Sequence, residues 1–198
     1  VHLDVTVIRG DLSNRELVER VISDYEIDSV FHLAASTVVS IANAAPYPTI
    51  ENNIKSTLNV LEAVRTYGKV RHTVVASSDK AYGELDDRRM YVESDPVNGL
   101  HPYDCSKSCT DLLAQSYAAT YNLPIAISRC GNIYGGGDMN YSRLIPNTIR
   151  RILRGKLPVI HGTGDETRDY FYVEDAANAY VLLSEREAVG PYNFSTGA

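Results

Sequence analysis

Ile50–Ser77, IENNIKSTLNVLEAVRTYGKVRHTVVAS, decides the fold. Its first part reads as a long helix from about Ile50 to Tyr67, with Leu58 and Leu61 among its apolar positions, and Gly68 stops it. His72–Ser77 then changes to a short β-branched run, which reads as a buried strand. Working outward, Ser29–Ala34 (SVFHLA) is a strand before that helix, and a loop with Pro46 and Pro48 joins them. Val5–Ile8 is an earlier strand, broken by Gly10 and Asp11. Ser13, with Glu16 three residues on, has capping-box spacing for a helix to about Tyr25. Downstream, Pro102 opens a helix to about Tyr121, and Pro124–Cys130 is a further strand. Helices at about Tyr141–Arg154 and Val173–Glu185 flank an extended piece at Tyr170–Tyr172, and Tyr192–Phe194 is a last strand. Strand and helix in alternation specify an α/β fold, a doubly wound parallel sheet with helices on both faces.

The 198 residues are 44% hydrophobic and 22% charged, with 14 Tyr, enough for a buried core and against a disordered chain. A net charge of −6 argues against a nucleic-acid partner, which needs a basic face. No apolar run reaches the ~18 residues of a membrane span, and Asp4, Arg9 and Asp11 interrupt anything like a secretory leader. Asp86, Asp87, Arg88 and Arg89 read as a surface loop. Cys105, Cys109 and Cys130 do not form a paired framework. Cys105 and Cys109, one turn apart, read as small residues on a buried helix face, so no metal is expected. A reducing, cytoplasmic setting fits this cysteine usage.

Ligands of such sheets sit beyond the carboxyl ends of the strands. That rule selects Asp11–Leu12, Ala34–Thr37, Ser77–Lys80 and Gly131–Gly137. At the start of the Pro102 helix, Tyr103-Asp104-Cys105-Ser106-Lys107 puts a phenol and an amine on one face, roughly 5–6 Å apart. An ammonium beside a phenol favours the phenolate, so this pair is a workable proton-transfer unit. Ser77-Ser78-Asp79-Lys80 adds hydroxyls, a carboxylate and an amine at the sheet mouth.

SSDKAYG at 77–83, followed by the Tyr/Lys pair 25 residues beyond Ser78, resembles an extended short-chain dehydrogenase/reductase. The likeness is to the NAD-dependent epimerase/dehydratase family acting on nucleotide sugars. Gly10-Asp11-Leu12, His32-Leu33-Ala34-Ala35, NIKSTLNVLEA at 53–63, RCGNIYG at 129–135 and RDYFYVED at 168–175 follow in the family's order. Ser56 stands where Gly is usual. The resemblance implies NAD as cofactor, with Asp11, Leu12, Ala34, Ala35, Ser36, Asn53, Ser77, Tyr103 and Lys107 along it. It implies Ser78 as hydroxyl, Tyr103 as base and Lys107 as the lysine that activates the phenol and holds the nicotinamide ribose. Ser78, Asn132 and Arg168 would bind the nucleotide-sugar substrate, Arg168 through its diphosphate.

The 4,6-dehydratases of this family add two groups after the hydroxyl, usually Asp-Glu. Asp79-Lys80 is the variant that resembles CDP-glucose 4,6-dehydratases. It implies oxidation at sugar carbon 4, elimination of water across carbons 5 and 6, and return of hydride to carbon 6. Asp79 would protonate the departing hydroxyl and Lys80, if neutral, would take the carbon 5 proton. A 4-epimerase needs only Ser78, Tyr103 and Lys107, and a non-catalytic binding module is the third reading. A homodimer through Ile50–Tyr67 and Pro102–Tyr121 is implied by resemblance alone.

The family opens with a strand, a GxxGxxG turn and a helix, and no such turn lies ahead of the Val5–Ile8 strand in this sequence. The expectation is a longer protein, with residues 1–134 as an N-terminally incomplete NAD-binding Rossmann-like core. Residues 135–198 would mix part of a small C-terminal substrate lobe with the last core elements. Weak or absent NAD binding is expected of this stretch alone.

Overall fold

The computed structural model describes residues 5–85, 89–160, 162–165 and 167–197. Asp86, Asp87 and Arg88 of the expected surface loop lie outside the described residues. In chain order the elements are α1 (Arg15–Asp24), β1 (Ser29–His32), α2 (Val39–Ala44), α3 (Pro46–Tyr67), β2 (His72–Ala76), a 3-10 turn (Asp79–Tyr82), α4 (Pro102–Tyr121), β3 (Ile125–Cys130), β4 (Asn132–Tyr134), α5 (Leu144–Ile152), β5 (Tyr170–Tyr172), α6 (Val173–Glu185) and β6 (Gly190–Phe194).

β1, β2, β3 and β6 form a parallel sheet in that order, and β4 pairs with β5 in a separate two-stranded ribbon. Side chains alternate across the sheet. Val75, Ile125 and Ile127 face α3 and α4 and pack with Leu61 and Ala114. Val74 and Ala126 face the other way, onto Leu183 of α6. Val18 and Ile22 of α1 close against Val60, Ala63 and Val64 of α3. Helices thus cover both faces, as the alternating sequence requires. Leu61 is fully buried, and truncating such a leucine costs about 2–5 kcal/mol.

Five local readings are corrected. Val5–Ile8 is not a strand; it has no regular structure and Val5 and Val7 are exposed. A strand needs a hydrogen-bonding neighbour, and no described strand lies beside it. The cap of α1 is Asn14, whose Oδ1 accepts from Leu17 N at 3.1 Å, and Ser13 instead donates its N–H to Asp11 Oδ1 at 2.8 Å. α3 begins at Pro46 and not near Ile50, because N–H groups in the first turn of a helix have no intrahelical acceptor, so proline, which lacks one, is accepted there. The loop ahead of it contains the short helix α2. Cys105 and Cys109 are free and only half-buried.

The carboxyl ends of β1, β2 and β3 open on one side of the sheet. Gly83, at φ 75°, lets the chain double back there, and a Cβ would strike the Asn98 carbonyl. Asn98 N donates to Ala81 O at 2.8 Å and fixes the return.

Candidate active site

Ser78 leaves β2 in extended conformation, and its Oγ accepts from Lys80 N at 3.2 Å, capping the turn that carries Asp79 and Lys80. The same hydroxyl donates to Asp79 Oδ1 at 3.0 Å. Lys80 Nζ stands 3.4 Å from Asp79 Oδ2. Against this turn α4 presents Tyr103, whose phenol is acted on by the Ser78 hydroxyl and the Asp79 charge. The structure therefore brings Ser78, Asp79, Lys80 and Tyr103 to one mouth.

Burial pushes the Tyr103 phenol up to about 12, opposed by the Ser78 hydrogen bond and by the Arg143 guanidinium, and reinforced by Asp79 and Asp104. Burial also brings Lys107 down from 10.5 to about 8, while Asp111 favours its charge. Lys107 Nζ donates to Ala76 O at 2.7 Å, and no described carboxylate is within ion-pair distance of it. An ammonium has three N–H groups. The other two make no hydrogen bond to a side chain or carbonyl among the described residues.

The loop after β1 is stitched to both long helices. Asn53 Oδ1 accepts from Ser36 N at 2.6 Å, and its Nδ2 donates to Ser36 O at 3.2 Å and to Ser106 Oγ at 2.9 Å. His32 Nε2 lies 2.9 Å from Thr57 Oγ1, which donates to Asn53 O at 2.8 Å. With that hydroxyl hydrogen committed, His32 is the donor. Burial, and next the Lys107 charge, bring His32 down to about 4, so it is neutral at physiological pH. An open cleft of about 720 Å³ runs past this loop, lined by Asp11, Ala35, Ser36, Thr37, Asn52 and Lys55 among others. Leu12 is half-buried at its edge, its carbonyl held by Asn59 Nδ2 at 2.7 Å, and Ala34 is exposed.

Not every expected residue joins. Asn53 and Ser77 are buried and committed to protein partners, so they shape the site from behind. Asn132 Nδ2 reaches only to Asp169 O, at 3.4 Å. Arg168 is exposed and donates to Thr167 O at 2.9 Å. Asp169 instead holds Thr196 and Gly197. Sequence reasoning missed Arg143, which acts on the phenol from the head of α5, and Tyr91, which stacks on Tyr82 with ring centroids 4.6 Å apart. Tyr91 feels the charges of Asp79 and Arg168. Neither sits in a motif; only the fold brings them near. Among the described residues no group of three or more His, Cys, Asp or Glu is arranged to hold a metal ion. Nor is any described helix long and apolar enough to cross a membrane.

Residues 1–195 match the NAD dependent epimerase/dehydratase family. The chain belongs to this family. It is 34% identical over 188 residues, 94% of the chain and 55% of the relative, to dTDP-glucose 4,6-dehydratase of Mycobacterium tuberculosis. Among solved structures, dTDP-glucose 4,6-dehydratase of Bacillus anthracis in complex with NAD superposes with a TM-score of 0.88 at 30% identity, over 100% of this chain and 60% of that one. UDP-glucose 4-epimerase of Thermus thermophilus in complex with NAD superposes at 0.87 and 33% identity, over 100% of this chain and 66% of that one. The chain thus spans about half the length of the curated dehydratase it matches. The fold is the Rossmann-like parallel α/β sheet of these relatives.

Proposed function

We propose that the full-length protein is an NAD-dependent nucleotide-sugar 4,6-dehydratase, with a CDP-hexose such as CDP-glucose as its substrate. The observation that carries this reading is Asp79 and Lys80, 3.4 Å apart, on the turn whose Ser78 hydroxyl and Asp79 charge act on the Tyr103 phenol. A 4-epimerase has no use for that ion pair. Lys80, where the family's usual residue is Glu, favours the CDP-glucose branch over the dTDP- and UDP-glucose relatives.

Lys107 would hold the nicotinamide ribose of bound NAD, and Asp11, Leu12, Ala34, Ala35 and Ser36 would lie along its adenosine half. Bound NAD supplies an acceptor for the carbon 4 hydride and later the donor that reduces carbon 6. Tyr103 takes the carbon 4 hydroxyl proton, with Ser78 hydrogen-bonded to the same oxygen. Lys107 as ammonium stabilises the phenolate. The new ketone acidifies carbon 5. A bound hexose dries the mouth, which disfavours the charged Asp79/Lys80 pair. Moving one proton from Lys80 Nζ to Asp79 Oδ2 creates both an amine base for carbon 5 and a carboxylic acid for the departing carbon 6 hydroxyl. Arg168, which is exposed, and Asn132, which is half-buried, are assigned to the diphosphate and the sugar. A homodimer is proposed through α3 and α4, where Leu58 and Leu112 are exposed.

The reading is tested by incubating the full-length protein with NAD and CDP-, UDP-, GDP- and dTDP-glucose. The expected product is the 4-keto-6-deoxy sugar, formed fastest from CDP-glucose. Formation of 4-epimers alone would move the assignment to the epimerases, which share the rest of the site.

A further inference from the structure

Behind the reacting groups lies a buried ion pair. Arg129, on β3, grips Asp111 of α4 with two parallel bonds, Nε to Oδ2 and Nη2 to Oδ1, each 2.8 Å. Their side chains are 2% and 0% exposed. Asp111 also accepts from Ser77 Oγ at 2.6 Å and from Gln115 Nε2 at 2.6 Å. Arg129 goes on to donate from Nη1 to Tyr82 OH at 2.8 Å and to Glu93 O at 3.1 Å, and it stacks over the Tyr82 ring. Tyr82 OH donates to Asn193 Oδ1 of β6 at 2.7 Å.

The placement of these partners is what matters. Asp111 lies one turn beyond Lys107 and two beyond Tyr103, on the same face of α4. Ser77 is the residue before Ser78, and Tyr82 closes the turn that begins at Asp79. A single guanidinium-carboxylate pair therefore ties the helix bearing the phenol and ammonium to the turn bearing the hydroxyl, acid and amine. A buried ion pair is often no more stabilising than apolar residues of similar volume, so stability is a weak reason for one here. A bidentate pair does fix distance and angle.

We infer that Asp111 and Arg129 are positioning residues that set the spacing between Tyr103/Lys107 and Ser78–Lys80, with Ser77 as the link. This rests on the dehydratase reading for its kinetic consequence, and has a second consequence that does not. Among the described residues, the charged and titratable groups placed with Lys107 are Asp111, one turn along its own helix, Arg129 of β3 behind that carboxylate, and His32 of β1, which feels the lysine charge. Of these, Asp111 is the one that favours the lysine charge.

The test uses the full-length protein with NAD and three variants, Ser77→Ala, Ser77→Thr and the paired Asp111→Leu/Arg129→Met, which replaces the ion pair without leaving a lone buried charge. Displacing reacting groups by about 1 Å costs about 100-fold in rate. The paired variant is expected to fold, to keep KM within about twofold and to lose about 100-fold in kcat. Ser77→Ala should lose about 10-fold in kcat, and Ser77→Thr should recover most of it. The pH midpoint for acylation of Lys107, measured on the cofactor-free protein and followed by mass spectrometry, should fall in the paired variant and stay put in Ser77→Ala. Wild-type kcat in a folded paired variant, or an unmoved Lys107 midpoint, overturns the inference. If the wild-type protein dehydrates no hexose, the functional reading fails by itself, and the Lys107 midpoint still decides this one.

Discussion

Tyr103 and Lys107 sit on a 20-residue helix, 9% and 5% exposed. Asp79 and Lys80 sit on a four-residue turn, with side chains 25% and 35% exposed. The first pair is locked from several sides, through Asn53 to Ser106, Lys107 to Ala76 and Asp111 to Arg129. The second pair is held by Ser78 and by its own mutual contact. On the proposed dehydratase reading, the difference separates two jobs. Oxidation at carbon 4 demands a fixed distance between phenol, ammonium and hydroxyl. Elimination demands a proton pair that substrate can reach and dry. A family that keeps the first and varies the second can change its chemistry at the turn without disturbing the core.

The largest expected effect breaks the buried pair. Tyr103→Phe should lower turnover of any hexose by about 10³-fold, the range of a lost general base, with the fold intact by circular dichroism. Retention of a tenth of the activity would move the base elsewhere. Next, Asp79→Asn should cut dehydration about 100-fold while leaving oxidation, so that reduced nicotinamide absorbance builds up on mixing. An unchanged rate means the turn is not part of the chemistry. Third, Lys80→Met should cost about 10- to 100-fold, and Lys80→Glu should retain more activity than Lys80→Met, because a carboxylate can take the same proton. Equal activity in both sharpens Lys80 to a mere partner of Asp79.

The smallest effect is on stability. Lys107 is brought from 10.5 to about 8 by folding, so between these values the unfolded chain holds more protons than the folded one. Stability therefore rises with pH across that window, and the buried charge is destabilising below it. Lys107→Met should stabilise the cofactor-free protein by ~1–3 kcal/mol at pH 7, with the gain shrinking as pH rises through 8 towards 10.5. Urea denaturation at several pH values reads this directly, and a gain that grows with pH would reverse the sign of the argument.

Periodicity carried most of the fold. The amphipathic run with Leu58 and Leu61 ahead of Gly68 and the β-branched run at His72–Ser77 are local signals, and the end of α3 and the whole of β2 follow them closely. Gly68 ends α3 in the left-handed conformation, as a glycine after a helix commonly does. Val5–Ile8 misled because its composition is that of a strand, while pairing depends on a neighbour that no local signal reports. Ser13 and Asn14 are both good caps, and the choice fell to Asn14 when Asp11 took the Ser13 N–H. In the site, the spacing of Tyr103 and Lys107 was legible because four residues are one helical turn. The Asp111–Arg129 pair was not, since a charge inside IAISRC and another inside α4 point at each other only once β3 and α4 are packed. Arg143 and Tyr91 reach the site through long connections whose course the sequence does not encode locally.

The proposal at stake is that Asp79 and Lys80 eliminate water once carbon 4 has been oxidised with Tyr103 as the base. It is tested most directly by turnover of CDP-glucose with NAD and the full-length protein in deuterated water, with the product read by NMR. The account predicts a 4-keto-6-deoxy sugar carrying solvent deuterium at carbon 5. A 4-epimer with no deuterium at that carbon would contradict it.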